Sequence, residues 1–583
     1  MTALCESRRS DALRSLTAAA AAVGASTLAL LSGCAAPAGE SEADIAAAMT
    51  PARPAALARC TDLGTTFTFA GAVIDSAAWV AAGTLAVAGR PIAEHCLVSG
   101  KMNERVSAVD GQTYAIGFQM RLPRDWNGRF FHQGNGGLDG VVAPAVGLVG
   151  GGGERTNALD QGFAVLSSDA GHNLRQVPLF GRDPQARLDY GYRAVANLTP
   201  MAKALIAAAY GKAPDRSYFG GCSNGGRHAM VAAARDAADY DGFLAGDPGF
   251  HLPQAAVAQL FGAQQYARLA TTPDLASAFT PAERQLIASR VLARCDALDG
   301  AADGLVADTA SCQRAFDPVR DLPVCHGARD GTCLSQAQIG ALARVYAGAS
   351  DSRGRPLYAP FPWDPGVTGS DWAAWKFVYS VTHRDPVAVA YVFQTPPADD
   401  SAAADPKAFA LAFDIDSAAS RLHARDARYT EASMDFMTPP DVNGLAALQS
   451  RGAKLIVYHG AGDPVFSALD SVAWYEQFDQ RSGGHADRSA RLYLIPGMNH
   501  CRGGPATDQF DLLSPLVDWV EQGRAPQAVT AQARGVGNPV PNPEVPPSWA
   551  PDRSRLLCPF PQVARYRGAG DVERAASFTC AGP

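Results

Sequence analysis

A serine in a G-x-S-x-G sequence is the strongest chemical signal in this chain. The sequence spans residues 221–225 and centres on Ser223, between a predicted strand at 217–220 and a predicted helix at 225–238. This is the context of a nucleophile elbow, where small residues flank a strained turn that lifts the hydroxyl clear of the sheet. The helix that begins there directs free N–H groups and the positive end of its dipole at the site. We therefore interpret Ser223 as a nucleophile; a chance match in a Gly-rich chain is the alternative.

A base and an acid for this serine are predicted at the ends of two later strands. A serine hydroxyl is a weak nucleophile and needs a base, and hydrolases with this elbow place the acid and then the histidine after the serine. His500 follows the predicted strand 491–495 in a Gly/Asn turn, and Asp463 follows the predicted strand 454–458. A carboxylate there fixes the tautomer of the imidazole and stabilises the imidazolium. The pattern predicts a triad of Ser223, His500 and Asp463.

Two other histidines are candidate bases. Chain order alone does not select His500, because eight histidines follow Ser223. His459 lies in the turn that leads to Asp463, and His228 lies on the helix after the serine. The simpler interpretations are a structural turn residue for His459 and a helix-surface residue for His228.

An oxyanion hole needs two backbone N–H groups aimed at the oxygen on which negative charge develops. One is expected from Asn224, directly after the nucleophile. The other is expected from the Gly-rich loop 134–140, where missing side chains allow close approach. Gly137 is favoured and Gly136 is next; a flexible hairpin loop is the alternative interpretation of this stretch.

Cysteine usage is typical of an exported protein. Twelve cysteines are present, and setting aside Cys5 and Cys34 in the N-terminal segment leaves ten. An even number suggests five disulfides, although counting does not reveal their connectivity. A bond between Cys222 and Cys501 would hold the candidate nucleophile and base together, but each could instead pair elsewhere or stay free. Three pairs of cysteines that are close in sequence could form disulfides that close short loops: Cys295/Cys312, Cys325/Cys333 and Cys558/Cys580.

The N-terminus is predicted to be a targeting segment. Three arginines precede a small-residue, apolar run at 16–31, which is too short to span a bilayer comfortably. The run ends in a Leu-Ser-Gly-Cys sequence that is similar to a lipoprotein cleavage box, with Cys34 as the lipidated residue. We predict a signal peptide over 1–34 and a flexible tether over 35–58. The protein is then exported, as a periplasmic or outer-membrane-anchored lipoprotein or in secreted form; a plain secretory signal is the alternative.

The rest of the chain alternates strand and helix patterns. Larger apolar residues fall on every second position at 114–122, and short apolar runs recur at 163–168 and 454–458. Helical patterns lie between them, such as 200–210 with a proline in its first turn. This alternation favours a parallel sheet with helices on both faces. The sequence predicts an α/β fold of the α/β-hydrolase kind.

The middle of the chain breaks this pattern. The stretch 250–438 is helix-rich, Asp-rich and irregular, whereas strand patterns occupy 59–249 and 439–583. The simplest account is one α/β-hydrolase core in two parts, interrupted by an inserted domain. In hydrolases such an insert usually covers the active site as a lid.

Charge and spacing argue against several function classes. The net charge of −7 comes from 50 Lys and Arg against 57 Asp and Glu, without a basic cluster. Nucleic-acid binding needs a stripe of Lys and Arg, so no nucleic-acid partner is expected. No CxxC or Cys/His spacing is typical of a zinc site. No organic cofactor is expected either.

The chain from about Cys60 to Cys580 resembles the tannase and feruloyl esterase family. The paired motifs Cys-Ser, Asp and His-Cys, in this order, carry the resemblance. It implies an α/β-hydrolase core with a lid and a serine carboxylester hydrolase for esters of aromatic acids, of the feruloyl, galloyl or terephthalate monoester type. We expect a monomer that acts on a small aromatic ester and meets a membrane only through a lipid on Cys34. The matching stretches are 126–131, 183–189, 217–225, 458–460 and 496–501.

The resemblance also implies a disulfide pattern and a metal site. A structural calcium is implied in the lid, where three carboxylates with Gly turns can wrap a hard cation. The implied ligands are the side chains of Asp296, Asp299 and Asp303 with the carbonyls of Ala301 and Leu305. The implied disulfides are Cys60–Cys96, Cys222–Cys501, Cys295–Cys312, Cys325–Cys333 and Cys558–Cys580.

Substrate contacts are implied at two aromatic residues. Trp375 and Phe466 match positions that line the ester pocket in the family, although packing inside the lid would explain them equally well. Arg384 or His383 could bind a carboxylate on the substrate.

The chemistry predicted from these residues is two-step acyl transfer through an acyl-enzyme on Ser223. Two other classes stay open. One is a non-catalytic surface lipoprotein that binds aromatic esters or glycans on a hydrolase scaffold, and the other is a serine peptidase on the same fold. Labelling by a fluorophosphonate separates the enzyme from the binder, and a casein assay separates the peptidase from the esterase.

Overall fold

The computed structural model of the protein describes residues 48–148 and 156–582. The predicted signal peptide, its lipid site Cys34 and the predicted tether up to residue 47 lie outside the described residues. The prediction of a flexible tether was wrong for residues 48–58, because Ala55–Ala56 forms a short strand paired with Asp125–Trp126 and the N–H of Met49 bonds to the carbonyl of Val520. The described residues belong to one compact unit. Within them, no helix combines the length and apolar character that a membrane crossing requires.

A nine-stranded mixed sheet forms the centre of the protein, in the order β9-β8-β7-β6-β4-β5-β3-β2-β1. The strands β4 to β9 run parallel, while β1, β2 and β3 extend one side by antiparallel pairing. The strands are β1 (Ala72–Val80), β2 (His95–Val106), β3 (Thr113–Pro123), β4 (Arg129–Gly134), β5 (Ala164–Ser168), β6 (Arg216–Cys222), β7 (Gly242–Gly246), β8 (Lys454–Gly460) and β9 (Ala490–Ile495).

The predicted parallel sheet corresponds to β4 to β9, and the antiparallel strands β1 to β3 extend it. Every residue of β7 and β8 is buried, as expected for central parallel strands covered on both faces. The edge strand β1 instead mixes partly buried and exposed residues and leaves Val73 and Trp79 exposed. Period-2 patterns indicate a half-covered strand but do not specify its partner, so the antiparallel extension was not visible in the sequence.

Seven longer helices of the described residues pack around the sheet or lie in the stretch between β7 and β8. The predicted helix 200–210 in fact begins at Ala194, so Pro200 lies in its interior. Burial of this helix against the core outweighs the backbone hydrogen bond that a proline cannot donate. The helices are α1 (Ala194–Tyr210), α2 (Asn224–Arg235), α3 (Leu252–Ala267), α4 (Pro281–Cys295), α5 (Gln336–Tyr346), α6 (Ala468–Arg481) and α7 (Leu513–Gln522).

The stretch between β7 and β8 adds no strand to the sheet, and all of it is described. It contains α3, α4, α5 and two π-helical segments, Trp375–His383 and Ala388–Phe393. The boundaries 250–438 for an inserted domain stay a prediction. Shorter α-helices of this stretch are Thr309–Ala315, Pro318–Asp321, Ser370–Ala374, Asp385–Val387, Ser401–Ala404, Pro406–Ala412, Ala418–Leu422, Ser433–Phe436 and Ala446–Arg451.

Side chains of this helical stretch hold the loops that follow β8 and β9. Gln259 on α3 donates hydrogen bonds to the carbonyls of Pro464 (2.9 Å) and Val465 (2.7 Å). The carboxylate of Asp364 accepts the N–H of Gly497 at 3.1 Å. This helical stretch therefore positions the loops that carry the candidate acid and base.

The described residues form five disulfides, and their pairing confirms the pattern that the family resemblance implied. Four of them join cysteines 8 to 36 residues apart, whereas Cys222–Cys501 joins cysteines 279 residues apart. The other four bonds are Cys60–Cys96, Cys295–Cys312, Cys325–Cys333 and Cys558–Cys580.

Candidate active site

Ser223 occupies a strained turn between β6 and α2. Its φ of 66° and ψ of −126° lie in a region that non-glycine residues rarely adopt. Gly221 and Gly225 flank it, and a Cβ on either residue would collide with the carbonyl oxygen of Gly134. The small residues of the motif are therefore required by the close approach of β4, and the turn presents the hydroxyl at the carboxyl end of the sheet.

Ser223, His500 and Asp463 form a continuous hydrogen-bonded chain. The Nε2 atom of His500 lies 2.8 Å from Oγ of Ser223, and its Nδ1 lies 2.8 Å from Oδ2 of Asp463. With Nδ1–H donated to the carboxylate, Nε2 is free to accept the proton of the serine. The Cys222–Cys501 bond links the neighbours of the two reacting residues directly.

The carboxylate of Asp463 is well stabilised in its ionised form. Its Oδ1 accepts the backbone N–H groups of Val465 (2.6 Å) and Phe466 (3.2 Å). Burial by itself raises the pKa of Asp463, but the charge of His500 and the hydrogen bonds of His459 and His500 bring it below its usual range. Asp463 therefore stays charged and able to stabilise an imidazolium.

The two alternative bases have other partners. His459 is fully buried, with Nδ1 2.8 Å from the Ser471 hydroxyl and Nε2 3.4 Å from Oδ2 of Asp463. His228 is buried rather than exposed, so its interpretation as a helix-surface residue was wrong. Its Nε2 lies 3.0 Å from Oδ2 of Asp139. Both rings support other parts of the site.

The Gly-rich loop lies against the nucleophile. A Cβ on Gly136 would lie 3.9 Å from Cβ of Ser223, and the hydroxyl of Tyr190 donates to the carbonyl of Gly137 at 3.1 Å. Asn224 donates its Nδ2–H to Oδ2 of Asp139 at 2.8 Å, which fastens this loop to α2. The N–H groups of Gly137 and Asn224 stay the predicted oxyanion hole.

Sequence reasoning missed Asp139 and its role in fastening this loop. The only signal was an acidic residue inside a Gly-rich stretch, and its partners Asn224 and His228 lie 85 and 89 residues away.

Trp375 and Phe466 both pack their rings against His500. The ring centroids lie 5.5 Å and 5.3 Å from that of His500, with interplanar angles of 78° and 77°. Phe466 is 1% exposed, whereas Trp375 is partly exposed. Trp375 is thus placed to meet a ligand beside the base, and Phe466 supports the imidazole from the interior; their roles in substrate binding stay predictions.

The positively charged side chain of Arg384 lies over the ring of Trp375. The guanidinium carbon of Arg384 is 4.8 Å from the Trp375 ring centroid. Lys376, the next residue on the π-helical segment, is instead buried, and burial lowers its pKa to about 7. The ring of His383 lies 6.2 Å from that of Tyr379. Arg384 is therefore the better placed of the two candidate carboxylate partners.

A second buried carboxyl, Asp247, also escaped the sequence analysis. It directly follows β7, has no exposed surface, and accepts the N–H of Gly460 at 2.8 Å. One carboxyl oxygen of Asp247, one of Asp463 and a ring nitrogen of His500 lie within 4.8 Å of one another. The available signal was its position in a Gly-Asp-Pro-Gly sequence at the end of an apolar run.

The three carboxylates of the predicted calcium loop act on one another electrostatically, although their oxygens do not all lie within 4.8 Å of one another. Burial, followed by the charges of Asp303 and Asp296, raises the pKa of Asp299 to about 7. Asp296 accepts the N–H groups of Asp303 (2.9 Å) and Gly304 (2.9 Å), and Asp303 pairs with Arg555. The residues offer hard oxygen donors of the kind that Ca²⁺ prefers, although Arg555 already compensates one of the three charges.

Most of this sequence is similar to a known protein family and to named esterases. The family model described as tannase and feruloyl esterase matches residues 96–581. Mono(2-hydroxyethyl) terephthalate hydrolase of Piscinibacter sakaiensis is 38% identical over 551 residues, which cover 88% of this chain and 89% of that protein. Feruloyl esterase B of Aspergillus niger is 26% identical over 545 residues, which cover 90% and 95%.

The solved structures show the same fold. The crystal structure of feruloyl esterase B from Aspergillus oryzae matches with a TM-score of 0.71 at 22% identity, covering 90% of this chain and 99% of that one. Tannin acyl hydrolase from Aspergillus niger matches with a TM-score of 0.65 at 20% identity, covering 91% and 97%. The predicted α/β-hydrolase fold is thereby confirmed.

Proposed function

Because this chain belongs to the tannase and feruloyl esterase family, we propose that it is a serine carboxylester hydrolase that cleaves esters of aromatic acids through an acyl-enzyme. The hydrogen-bonded chain from Ser223 through His500 to Asp463 carries this proposal. Nucleophile, base and acid are already within proton-transfer distance, so no rearrangement is needed before attack.

The mechanism follows from the site. Ser223 attacks the ester carbonyl while His500 takes its proton, and the N–H groups of Gly137 and Asn224 hold the oxyanion. His500 then protonates the leaving alcohol, and water repeats the sequence on the acyl-enzyme. Asp463 stays ionised throughout and stabilises the imidazolium.

The substrate class is tested by a panel of esters. We expect turnover of at least one gallate, ferulate or terephthalate monoester, with kcat/KM well above that for an aliphatic ester of the same alcohol. Trp375 supports this preference, because an aromatic acyl group can stack beside the base. Equal activity on aromatic and aliphatic acids would contradict the proposed substrate class.

Arg384 is expected to favour esters that carry a free carboxylate. Its guanidinium lies 4.8 Å from the ring of Trp375, where an aromatic acyl group would be bound. We predict that Arg384→Gln raises KM about tenfold for a terephthalate monoester, the size of one charge-assisted hydrogen bond. The dimethyl diester is the matched control, since it has no charge and its KM should stay nearly unchanged. Equal changes for both esters would contradict a carboxylate contact.

We also propose a structural Ca²⁺ in the loop 296–305. The carboxylates of Asp296, Asp299 and Asp303 and the carbonyls of Ala301 and Leu305 would hold it. The ion would neutralise the repulsion between the buried carboxylate of Asp299 and its neighbours Asp296 and Asp303, and would thereby order the loop.

Removal of this calcium is expected to lower thermal stability. A chelator should lower Tm by about 2–3 °C, the shift that about 2.7 kcal/mol of ligand binding gives in a protein of this size. Added Ca²⁺ should restore Tm in the wild type but not in Asp299→Asn. Asp330→Asn, in an exposed turn outside the loop, is the matched control and should respond like the wild type. A Tm that changes with neither chelator nor added Ca²⁺ would contradict a structural calcium site in this loop.

Export of the protein is proposed on the basis of its cysteines. Five disulfides support an oxidising compartment, because such bonds are rare in the cytosol. Metabolic labelling with a fatty-acid analogue in wild type and Cys34→Ala would test the lipid anchor.

A further inference from the structure

Two carboxyl groups, not one, lie at the acid end of the triad. Asp247 directly follows β7, and Asp463 lies three residues after the end of the neighbouring parallel strand β8. Both are buried, with 0% and 3% of their surface exposed. A carboxyl oxygen of Asp247, one of Asp463 and a ring nitrogen of His500 lie within 4.8 Å of one another. Asp247 is therefore a close neighbour of the acid of the triad.

Two carboxyl groups that lie this close together in a buried site favour a proton on one of them, because two ionised carboxylates repel each other and the protonated one can donate a hydrogen bond. The surroundings decide which one carries it. Both carboxyls accept backbone N–H groups, but Asp463 also accepts Nδ1–H of His500, which favours its charged form. Burial and the charge of Asp463 raise the pKa of Asp247 well above its usual value. The proton therefore resides on Asp247.

The remaining contacts of Asp247 fix its orientation. The N–H of Gly460 donates to its Oδ1 at 2.8 Å, and the sulfur of Cys222 lies 3.5 Å from its Oδ2. Asp247 itself has a φ of 36°, an uncommon value for a residue other than glycine. Strain of this kind persists where the surroundings hold a residue in one functional conformation.

Several other titratable groups face this pair. Nε2 of His459 lies 3.4 Å from Oδ2 of Asp463 and 3.9 Å from Oδ1 of Asp247. Lys376 acts electrostatically on Asp463, and Asp371 acts on both Asp463 and His500. Among the described residues, the charged and titratable groups around the cluster are His459, His500, Tyr358, Tyr458, Lys376, Asp371 and Asp385.

We propose that Asp247 is a positioning residue of the catalytic machinery: a neutral carboxylic acid whose O–H donates to Asp463 and holds that carboxylate in line with His500. The chain of hydrogen bonds then runs from Ser223 through His500 and Asp463 to Asp247. Its one negative charge lies on Asp463. This inference rests on the proposed esterase function.

Two variants of Asp247 test the inference through pH profiles of kcat/KM. Asp247→Asn keeps a neutral donor of the same shape, so kcat should stay within about threefold of the wild type. The acid limb of the pH profile, where kcat/KM falls as the base becomes protonated, should not move. Asp247→Leu keeps the volume but has no donor, so kcat should fall about 10–100-fold at unchanged KM, as for other outer partners of catalytic groups. The acid limb of its pH profile should move to higher pH. Asp463 no longer accepts a hydrogen bond from residue 247, so its negative charge stabilises the protonated form of His500 more strongly.

An ionised Asp247 predicts a different result. Removing its charge in Asp247→Asn would then deprive His500 of a nearby anion, and the acid limb would move to lower pH. That shift, or an Asp247→Leu enzyme indistinguishable from the wild type, overturns the proposal. An inactive wild type would instead count against the proposed function itself.

Infrared difference spectra supply a readout that does not depend on activity or on the folding of Asp247→Leu. At neutral pH, the difference between wild type and Asp247→Asn should contain the carbonyl stretch of a protonated carboxylic acid; its absence overturns the proposal. Asp236→Asn is the matched control for the kinetics. Burial raises the pKa of Asp236 to about 6, but it lies just beyond the far end of α2, so kcat and the acid limb should not change.

Discussion

Ser223→Ala is expected to lower kcat on methyl ferulate or p-nitrophenyl esters by about 10⁶-fold, the loss seen when a serine triad loses its nucleophile. The reason is that the acyl-enzyme can no longer form, while substrate binding and the oxyanion hole stay intact. KM should therefore change little. The residual rate measures what the oxyanion hole and binding contribute without covalent catalysis.

A covalent probe makes this prediction independent of the choice of substrate. A fluorophosphonate should label the wild type and fail to label Ser223→Ala. Ser514→Ala is the matched control, because Ser514 is an exposed serine at the start of α7, and it should label and turn over ester like the wild type. Retained turnover in Ser223→Ala would remove the serine from the mechanism.

Removal of the Cys222–Cys501 disulfide is the second change with a large expected effect. The bond closes a loop of 279 residues, and in the chain-entropy model such a loop stabilises the fold by about 5 kcal/mol. The double variant Cys222→Ala/Cys501→Ala should therefore lose about this free energy of unfolding in urea. Its kcat should also fall by about 100-fold, because misplacing the base relative to the nucleophile by about 1 Å has an effect of this size.

A second disulfide provides the control. Cys325–Cys333 joins cysteines only 8 residues apart in a partly exposed part of the insert, and the same model assigns it about 2.5 kcal/mol. Cys325→Ala/Cys333→Ala should lose less stability and keep its kcat. Equal losses of kcat in both double variants would show that Cys222–Cys501 acts through general stability and not by aligning the triad.

The local elements of the site could be predicted from the sequence. Ser223, Asp463 and His500 each follow a short apolar strand within a few residues, and that pattern is encoded by neighbouring residues in the chain. The strained turn at Ser223 follows from the same local signal, because only small residues at 221 and 225 permit it. The disulfide pairing needed more than counting, and it came from the resemblance to a known family.

The sequence by itself therefore determined which residues could carry the chemistry and where they lie on the strands. Only the tertiary structure decided their environment: the burial of His228, the anchoring of the Gly-rich loop by Asp139, and the contact between Asp247 and Asp463. The physical reason is range. Backbone geometry is set by residues a few positions apart, whereas desolvation and the coupling of charges depend on every group that the fold brings near, and Asp247 and Asp463 are brought together only by the pairing of β7 with β8.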